Sequence, residues 1–195
     1  MIIPIVICEG RSEFAYVQSL NRMLTTVEGR AAFVPKSADC GNFSAIKRCY
    51  QKQKKSNRES EILIWVDRDI YVRSKVEIEA YAKKKNIPDF FFSTMNFEDV
   101  LALHQPKSVL YEWDTICVRK NHFTNPMTDD QYIPLYTKTV CSDYRKGTFP
   151  PGFRLTKTVL ENAFANNEDP NVNIRCDFLT WLKKQIENGV FQYIE

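Results

Sequence analysis

Short apolar runs alternate with amphipathic stretches along the first half of this chain, and that alternation constrains the fold more than any other feature. Residues 2–8 (IIPIVIC), 31–35 (AAFVP), 61–66 (EILIWV) and 88–94 (PDFFFST) read as strands. Between the first two, Phe14, Val17, Leu20 and Leu24 recur at helical spacing from Ser12 to about Thr26. Phe43, Ile46 and Tyr50 mark a second amphipathic helix. A charged helix from about Val72 to Lys85 carries Val76 and Tyr81 and ends in KKK, where cations suit the helix dipole. Phe97, Val100, Leu101 and His104 stand at i, i+3, i+4 and i+7, one face of a fourth helix. Strands separated by helices imply parallel pairing, so the chain should form an α/β layered sheet.

Beyond Gln105 the periodicity lapses until Phe153, which predicts loops and irregular helix packed on the sheet. Helices are expected over 155–166 and 171–188, separated by NNEDPN and stopped by the NG at 188–189. With no repeat, linker or low-complexity tract, the expectation is a single domain over 1–195, its core about 1–105 and an extension over 106–195.

Carboxylates gather where strands end. Glu9 and Glu13 follow the first run, Asp67 and Asp69 the third, and Glu98 and Asp99 the fourth. In α/β sheets ligands collect at the carboxyl ends of strands. Side chains two apart on a strand point the same way, so Asp67 and Asp69 share a face at roughly 6.5 Å. At that separation and an effective dielectric near 20 they would repel by about 2.5 kcal/mol. Such crowding calls for protonation, a cation partner or a metal, and an oxygen-only donor set suits Mg²⁺ or Mn²⁺. Ions of that kind can activate water for phosphodiester displacement.

Plainer roles exist for each acid. Glu13 falls in a first helical turn, where the dipole favours any carboxylate. Asn96 and Asp99 have capping-box spacing, and Arg68 could pair with either neighbouring aspartate. The basic run Lys47, Arg48, Lys52, Lys54, Lys55 and Arg58 reads first as a solvated face, although it could contact phosphates. His104, on an apolar face, reads as a core histidine bonded to a backbone carbonyl, and His122 is given no role.

Composition narrows the class. Of 195 residues 44% are hydrophobic and 26% charged, and no run approaches the roughly 18 apolar residues of a membrane helix. Six scattered cysteines without a CxxC pair, and an apolar start too short and unflanked for a signal peptide, lead us to expect reduced thiols in the cytoplasm. A net charge of +3 permits a nucleic-acid partner without arguing for one.

As a set, these motifs resemble the TOPRIM domain. VICEGRSEFAYVQSL is similar to its opening Glu-Gly segment, and LIWVDRD to its DxD motif. Within that superfamily FFFSTMNFEDVLALH, DYRKG and NNEDPNVNIRCDFLTWL resemble the RloB-like family, which is related to OLD-type nucleases. STMNFE lacks the proline and the Ser-Asn order usual there, and NVN stands where threonine is usual. The resemblance implies a TOPRIM-like fold in which Glu9, Asp67 and Asp69 hold Mg²⁺ or Mn²⁺, with Glu13 and Glu98 completing one or two sites. Glu9 would also act as general base or steer the attacking water, and Lys146 would steady the phosphorane charge.

Arg68, Arg145, Lys146 and Arg154 would then meet the nucleic-acid backbone, be it DNA, RNA or a tRNA. The resemblance further implies a metal-dependent endonuclease used in anti-phage defence, a partner protein such as an ATPase, and a homodimer as one arrangement. Two other readings stand beside it: a TOPRIM module that docks on nucleic acid or a partner without catalysis, and a metal-dependent enzyme of nucleotidyl or phosphate transfer.

Overall fold

The structure is a computed structural model and describes residues 3–38, 42–85, 90–145 and 153–194. Strand β1 (Ile5–Cys8) leads into α1 (Arg11–Leu20), a short β2 (Leu24–Thr26), β3 (Val34–Ser37) and α2 (Phe43–Ser56). Strand β4 (Ile62–Asp67), α3 (Arg68–Lys85), β5 (Phe90–Ser93) and α4 (Phe97–Leu103) follow. Helices α5 (Lys107–Arg119), α6 (Asp129–Thr139), α7 (Lys157–Glu168) and α8 (Asp177–Glu187) precede a last strand, β6 (Phe191–Tyr193). Four strands form one all-parallel sheet in the order β3-β1-β4-β5. This is the expected α/β class, a parallel sheet flanked by helices with a helical C-terminal part, and it is consistent with a TOPRIM-like fold. No described helix is long and apolar enough to cross a membrane.

The two-residue period of the strands sorts their side chains onto two buried faces. Val6, Cys8, Leu63 and Trp65 join α1, α4, α5, α7 and α8 in the larger core. Ile5, Ile7, Ile62, Ile64 and Val66 pack instead with Phe43, Ile46 and Tyr50 of α2 and Ile70, Ile78 and Tyr81 of α3. Trp65 anchors the larger core, stacked on Phe178 with ring centroids 4.5 Å apart, its indole N–H donating to Ser93 Oγ at 2.9 Å.

Four expectations are corrected. Helix α1 stops at Leu20 and does not reach Thr26. Asn21 ends it by clamping Phe33, accepting from the Phe33 N–H at 2.8 Å and donating to its carbonyl at 2.9 Å, and the β-branched Thr25 and Thr26 then pair with β6. The third helix starts at Arg68, not near Val72. The 105–153 stretch holds two regular helices, α5 and α6, whose buried residues Leu110, Trp113 and Cys117, and Tyr132 and Tyr136, give each only a narrow apolar stripe. The last helix begins at Asp177, because the residues just before it pair with the end of β5, Cys176 bridging Ser93 and the Arg175 carbonyl accepting from the Thr94 N–H.

Strand order fixes where a site can form. From β1 the chain moves to β3 by way of α1 on one face, while β4 continues to β5 through α3 on the other. The connections after neighbouring strands β1 and β4 therefore part, which opens a crevice at their carboxyl ends.

Candidate metal centre

Glu9 follows β1 and Asp67 closes β4, so each stands at one lip of the crevice. Asp69 lies not on the strand but in the first turn of α3. The abrupt change from strand to helix at Arg68 turns Asp69 back, and one oxygen from each of Glu9, Asp67 and Asp69 lies within 4.8 Å of the others. At that distance and an effective dielectric near 20, each ionised pair would repel by about 3.5 kcal/mol.

Backbone groups hold the carboxylates in place. The Asp67 N–H donates to Glu9 Oε2 at 3.0 Å, and the Phe97 N–H donates to Asp67 Oδ2 at 3.1 Å. The second bond depends on Met95, a non-glycine residue at φ 51, which turns the chain between β5 and α4. Met95 also offers its carbonyl to the Asp69 N–H at 3.3 Å. Asp67 Oδ1 is out of contact with solvent and has no hydrogen-bond partner among the described residues. An orphaned buried carboxylate oxygen facing two further carboxylates is a donor set that a hard divalent cation would complete.

Two more acids share the crevice. Glu13, in the first turn of α1, is 5% exposed and Glu98, in the first turn of α4, is 7% exposed. The Tyr144 hydroxyl donates to Glu98 Oε1, which ties the second half of the chain to the site. Burial pushes Glu9 up to about 8, and the Glu13 and Asp69 charges add to it against the Asp67 N–H and Arg73. Glu13 rises to about 7 through burial and then the charges of Glu98 and Asp69, against the pull of backbone N–H groups. Burial drives Asp67 well above the ordinary carboxylate range, with Glu13, Glu9, Glu98 and Asp69 all contributing. Five carboxyl groups thus sit in one another's field, and a cation among them would favour the ionised form of each.

No known protein family, curated protein or solved structure matches the chain. The site's own chemistry carries the argument.

The carboxylates line a cavity of about 730 Å³. Among the described residues its cations are Arg11 and Arg73, neither singled out by motif. Arg73 donates to Asp69 Oδ2 at 2.7 Å, so the charge partner of that aspartate is one helical turn ahead, not the adjacent Arg68. The i, i+4 spacing within a helix starting at Arg68 would have revealed it. Arg68 is exposed and is not among the cavity's lining residues; Arg145 and Arg154 are likewise exposed and outside the lining. Lys146 lies outside the described residues. The basic run of α2 projects into solvent, and the helix buries Phe43, Ile46 and Tyr50.

Beside the cavity is a second polar cluster that the sequence hides. Asp99 is fully buried and forms the expected capping box with Asn96. It also accepts from the Trp113 indole N–H at 3.0 Å and contacts His122 Nε2 at 3.3 Å. The Met127 N–H donates to His122 Nδ1 at 3.0 Å, which puts the ring proton on Nε2, where it donates to Asp99 Oδ2. Asp99, Cys117 and His122 have the donor types of a metal site within 4.8 Å of one another. Both Asp99 oxygens and both His122 nitrogens are already engaged, however, and burial pushes the Cys117 thiol up, so the cluster is a structural bolt. It fastens α4 to α5 and to the 126–129 segment, which forms part of the cavity wall. His104 is the core histidine expected: Nδ1 donates to the Val100 carbonyl at 2.8 Å and Nε2 accepts from the Tyr16 hydroxyl at 2.8 Å. Burial lowers its pKa to about 4.

Proposed function

We propose that this chain is a Mg²⁺- or Mn²⁺-dependent nuclease of the TOPRIM type that hydrolyses nucleic-acid phosphodiester bonds. The observation that carries the reading is the convergence of Glu9, Asp67 and Asp69 within 4.8 Å at the β1–β4 crevice. The buried, unpartnered Asp67 Oδ1 supports it. Those three residues would hold the ion, and Glu13 and Glu98 stand close enough in the same cavity to serve a second. A bound divalent cation would supply neutralising charge, activation of a water and stabilisation of the phosphoryl oxygens.

The chain's own residues do the rest. The Asp67 N–H fixes Glu9 at the lip of the crevice, where its carboxylate can take a proton from the attacking water. The Phe97 N–H aims Asp67 and Arg73 restrains Asp69, so the donors are pre-set before substrate arrives. Arg11 adds positive charge at the cavity for a phosphate. The role of Lys146 as the cation that steadies the phosphorane rests on the resemblance alone, as do anti-phage defence and an ATPase partner, while a cytoplasmic setting rests on the scattered cysteines and the apolar start.

Gly10→Ala probes the arrangement with little disturbance. At φ −130 alanine is permitted, but its methyl would stand 3.1 Å from Glu13 Oε2. Mn²⁺ affinity in a calorimetric titration should fall by roughly tenfold, with stability nearly unchanged.

The nuclease reading is tested directly. Purified protein is offered supercoiled plasmid, single-stranded DNA and total tRNA with Mg²⁺, Mn²⁺ or EDTA, beside Asp67→Ala and Lys146→Ala. Cleavage that needs metal and drops by at least about a hundredfold in Asp67→Ala is expected. Cleavage that survives in Asp67→Ala would overturn the assignment. The cavity also favours a second reading, metal-dependent phosphate transfer on a free nucleotide, since its volume lies in the roughly 300–1,000 Å³ range of small-molecule sites. Mn²⁺-dependent release of phosphate from nucleotides without strand cleavage would establish that alternative.

A further inference from the structure

We infer that the cavity receives one unpaired nucleotide, so that the chain acts on single-stranded or extruded segments and not on intact duplex. The inference rests on the nuclease reading and adds the substrate class.

It comes from depth and enclosure. Glu13 and Glu98 are only 5% and 7% exposed, Asp67 Oδ1 is shut off from solvent and Glu9 is half-buried, so these carboxylates lie below the rim, with Asp69, 32% exposed, nearest the mouth. The walls rise from elements packed on opposite faces of the sheet: Val72 and Arg73 of α3 on one side, Met127 and Tyr132 on the other. The half-open cavity between them, about 730 Å³, suits a single nucleotide. In a duplex the phosphates ride on the outside of a stiff rod whose major groove alone is about 12 Å wide. A rod of that size cannot lower one phosphate to these carboxylates without unstacking and unpairing the nucleotide that carries it. A single strand does so freely.

The wall chemistry fits the same guest. Val72 and Met127 offer apolar surface to a base, and Arg11 offers charge to a phosphate. Tyr132 lends no stacking face, because its ring is occupied by Tyr136 at 5.6 Å and His122 at 5.5 Å. Phe97, the other aromatic lining residue described, is buried against Tyr16 and Trp65, so base packing here is aliphatic and tolerant of sequence.

The test uses the full chain with Mn²⁺ and two matched pairs of substrates. One pair is a single-stranded DNA circle and the relaxed, covalently closed duplex circle of the same sequence. The other is a single-stranded RNA and the same RNA annealed to its complement. The unpaired member of whichever pair is cut should react faster by a factor on the order of a hundred, the cost of extrusion. Cutting of duplex at a comparable rate would overturn this inference and leave the nuclease reading standing. Should nothing be cut, the nuclease reading falls, and fluorescence anisotropy with labelled single strand and duplex in Mn²⁺ decides the inference separately. Single strand bound at least about tenfold more tightly supports it; equal affinity, or no binding, overturns it.

Discussion

In metal-free buffer the protein should lose stability steadily between about pH 5 and pH 8, and Mn²⁺ added at pH 8 should restore it. Burial raises Glu9 from 4.5 to about 8 and Glu13 from 4.5 to about 7, and lifts Asp67 in the same direction. In the unfolded chain these carboxyls ionise at ordinary values. Across the interval the native state keeps protons that the unfolded state has shed, so its stability falls as pH rises. The full contribution is present below the unfolded values and is lost as pH passes through the raised ones, a change on the order of a few kcal/mol. A divalent ion at a hundred times its dissociation constant would return about 2.7 kcal/mol. For a chain of this size that raises the melting temperature by roughly 5–10 °C. Thermal melts at pH 5 and pH 8, with EDTA and with Mn²⁺, read the effect directly. Asp67→Asn should flatten the pH dependence and remove most of the metal effect. A wild-type profile that is flat and indifferent to Mn²⁺ would mean that the carboxylates are not crowded as described.

Asp99→Ala should be more damaging still, although Asp99 is not one of the proposed ligands. Its carboxylate serves the Trp113 indole, His122 Nε2 and the Asn96 N–H, all from inside the protein. Truncation strands two buried donors at about 1–3 kcal/mol each and takes away the reciprocal half of the Asn96 capping box. A loss of roughly 2–6 kcal/mol is a large share of the stability of any domain. Urea unfolding should show it as a lower midpoint at constant slope. Because His122 also holds Met127, residual folded protein should lose the cavity wall and with it the preference for unpaired strands. A change below about 1 kcal/mol would show that the bolt carries no load.

The sheet could be read from residues alone because β1 and β4 are continuous apolar runs, as strands buried on both faces must be. The carboxylates at their ends were legible for the same reason. How they converge was not. Asp69 was expected to reach the site by strand alternation, yet it arrives through a helical turn, and no local signal before Ile70 marks that change. Arg73 went unnoticed with it. Helix α6 is hard to read in the sequence because it buries only Tyr132 and Tyr136 and carries Pro134 within it, which argues locally against a helix. Strands β2 and β6 are three residues each and draw their stability from pairing across the whole chain. Asp99 reads as the acid of a capping box begun by Asn96, and it is that; that it also serves Trp113 and His122 is a fact of three-dimensional packing.

The segment beside β5 has a consequence for synthesis. Phe92 N–H donates to Asp177 at 3.1 Å, Thr94 N–H donates to the Arg175 carbonyl at 2.8 Å, and Ser93 bridges Cys176. This strip, more than eighty positions later in the chain by the 85 and 81 residue separations of its bonds, covers the outer border of the sheet. A ribosome-bound or truncated chain lacking it would hold Phe90, Phe91 and Phe92 on an uncovered rim, ready to zip onto another unfinished copy. Deletions from the C-terminal side that pass Arg175 should therefore yield aggregates, however complete the carboxylate cluster they retain.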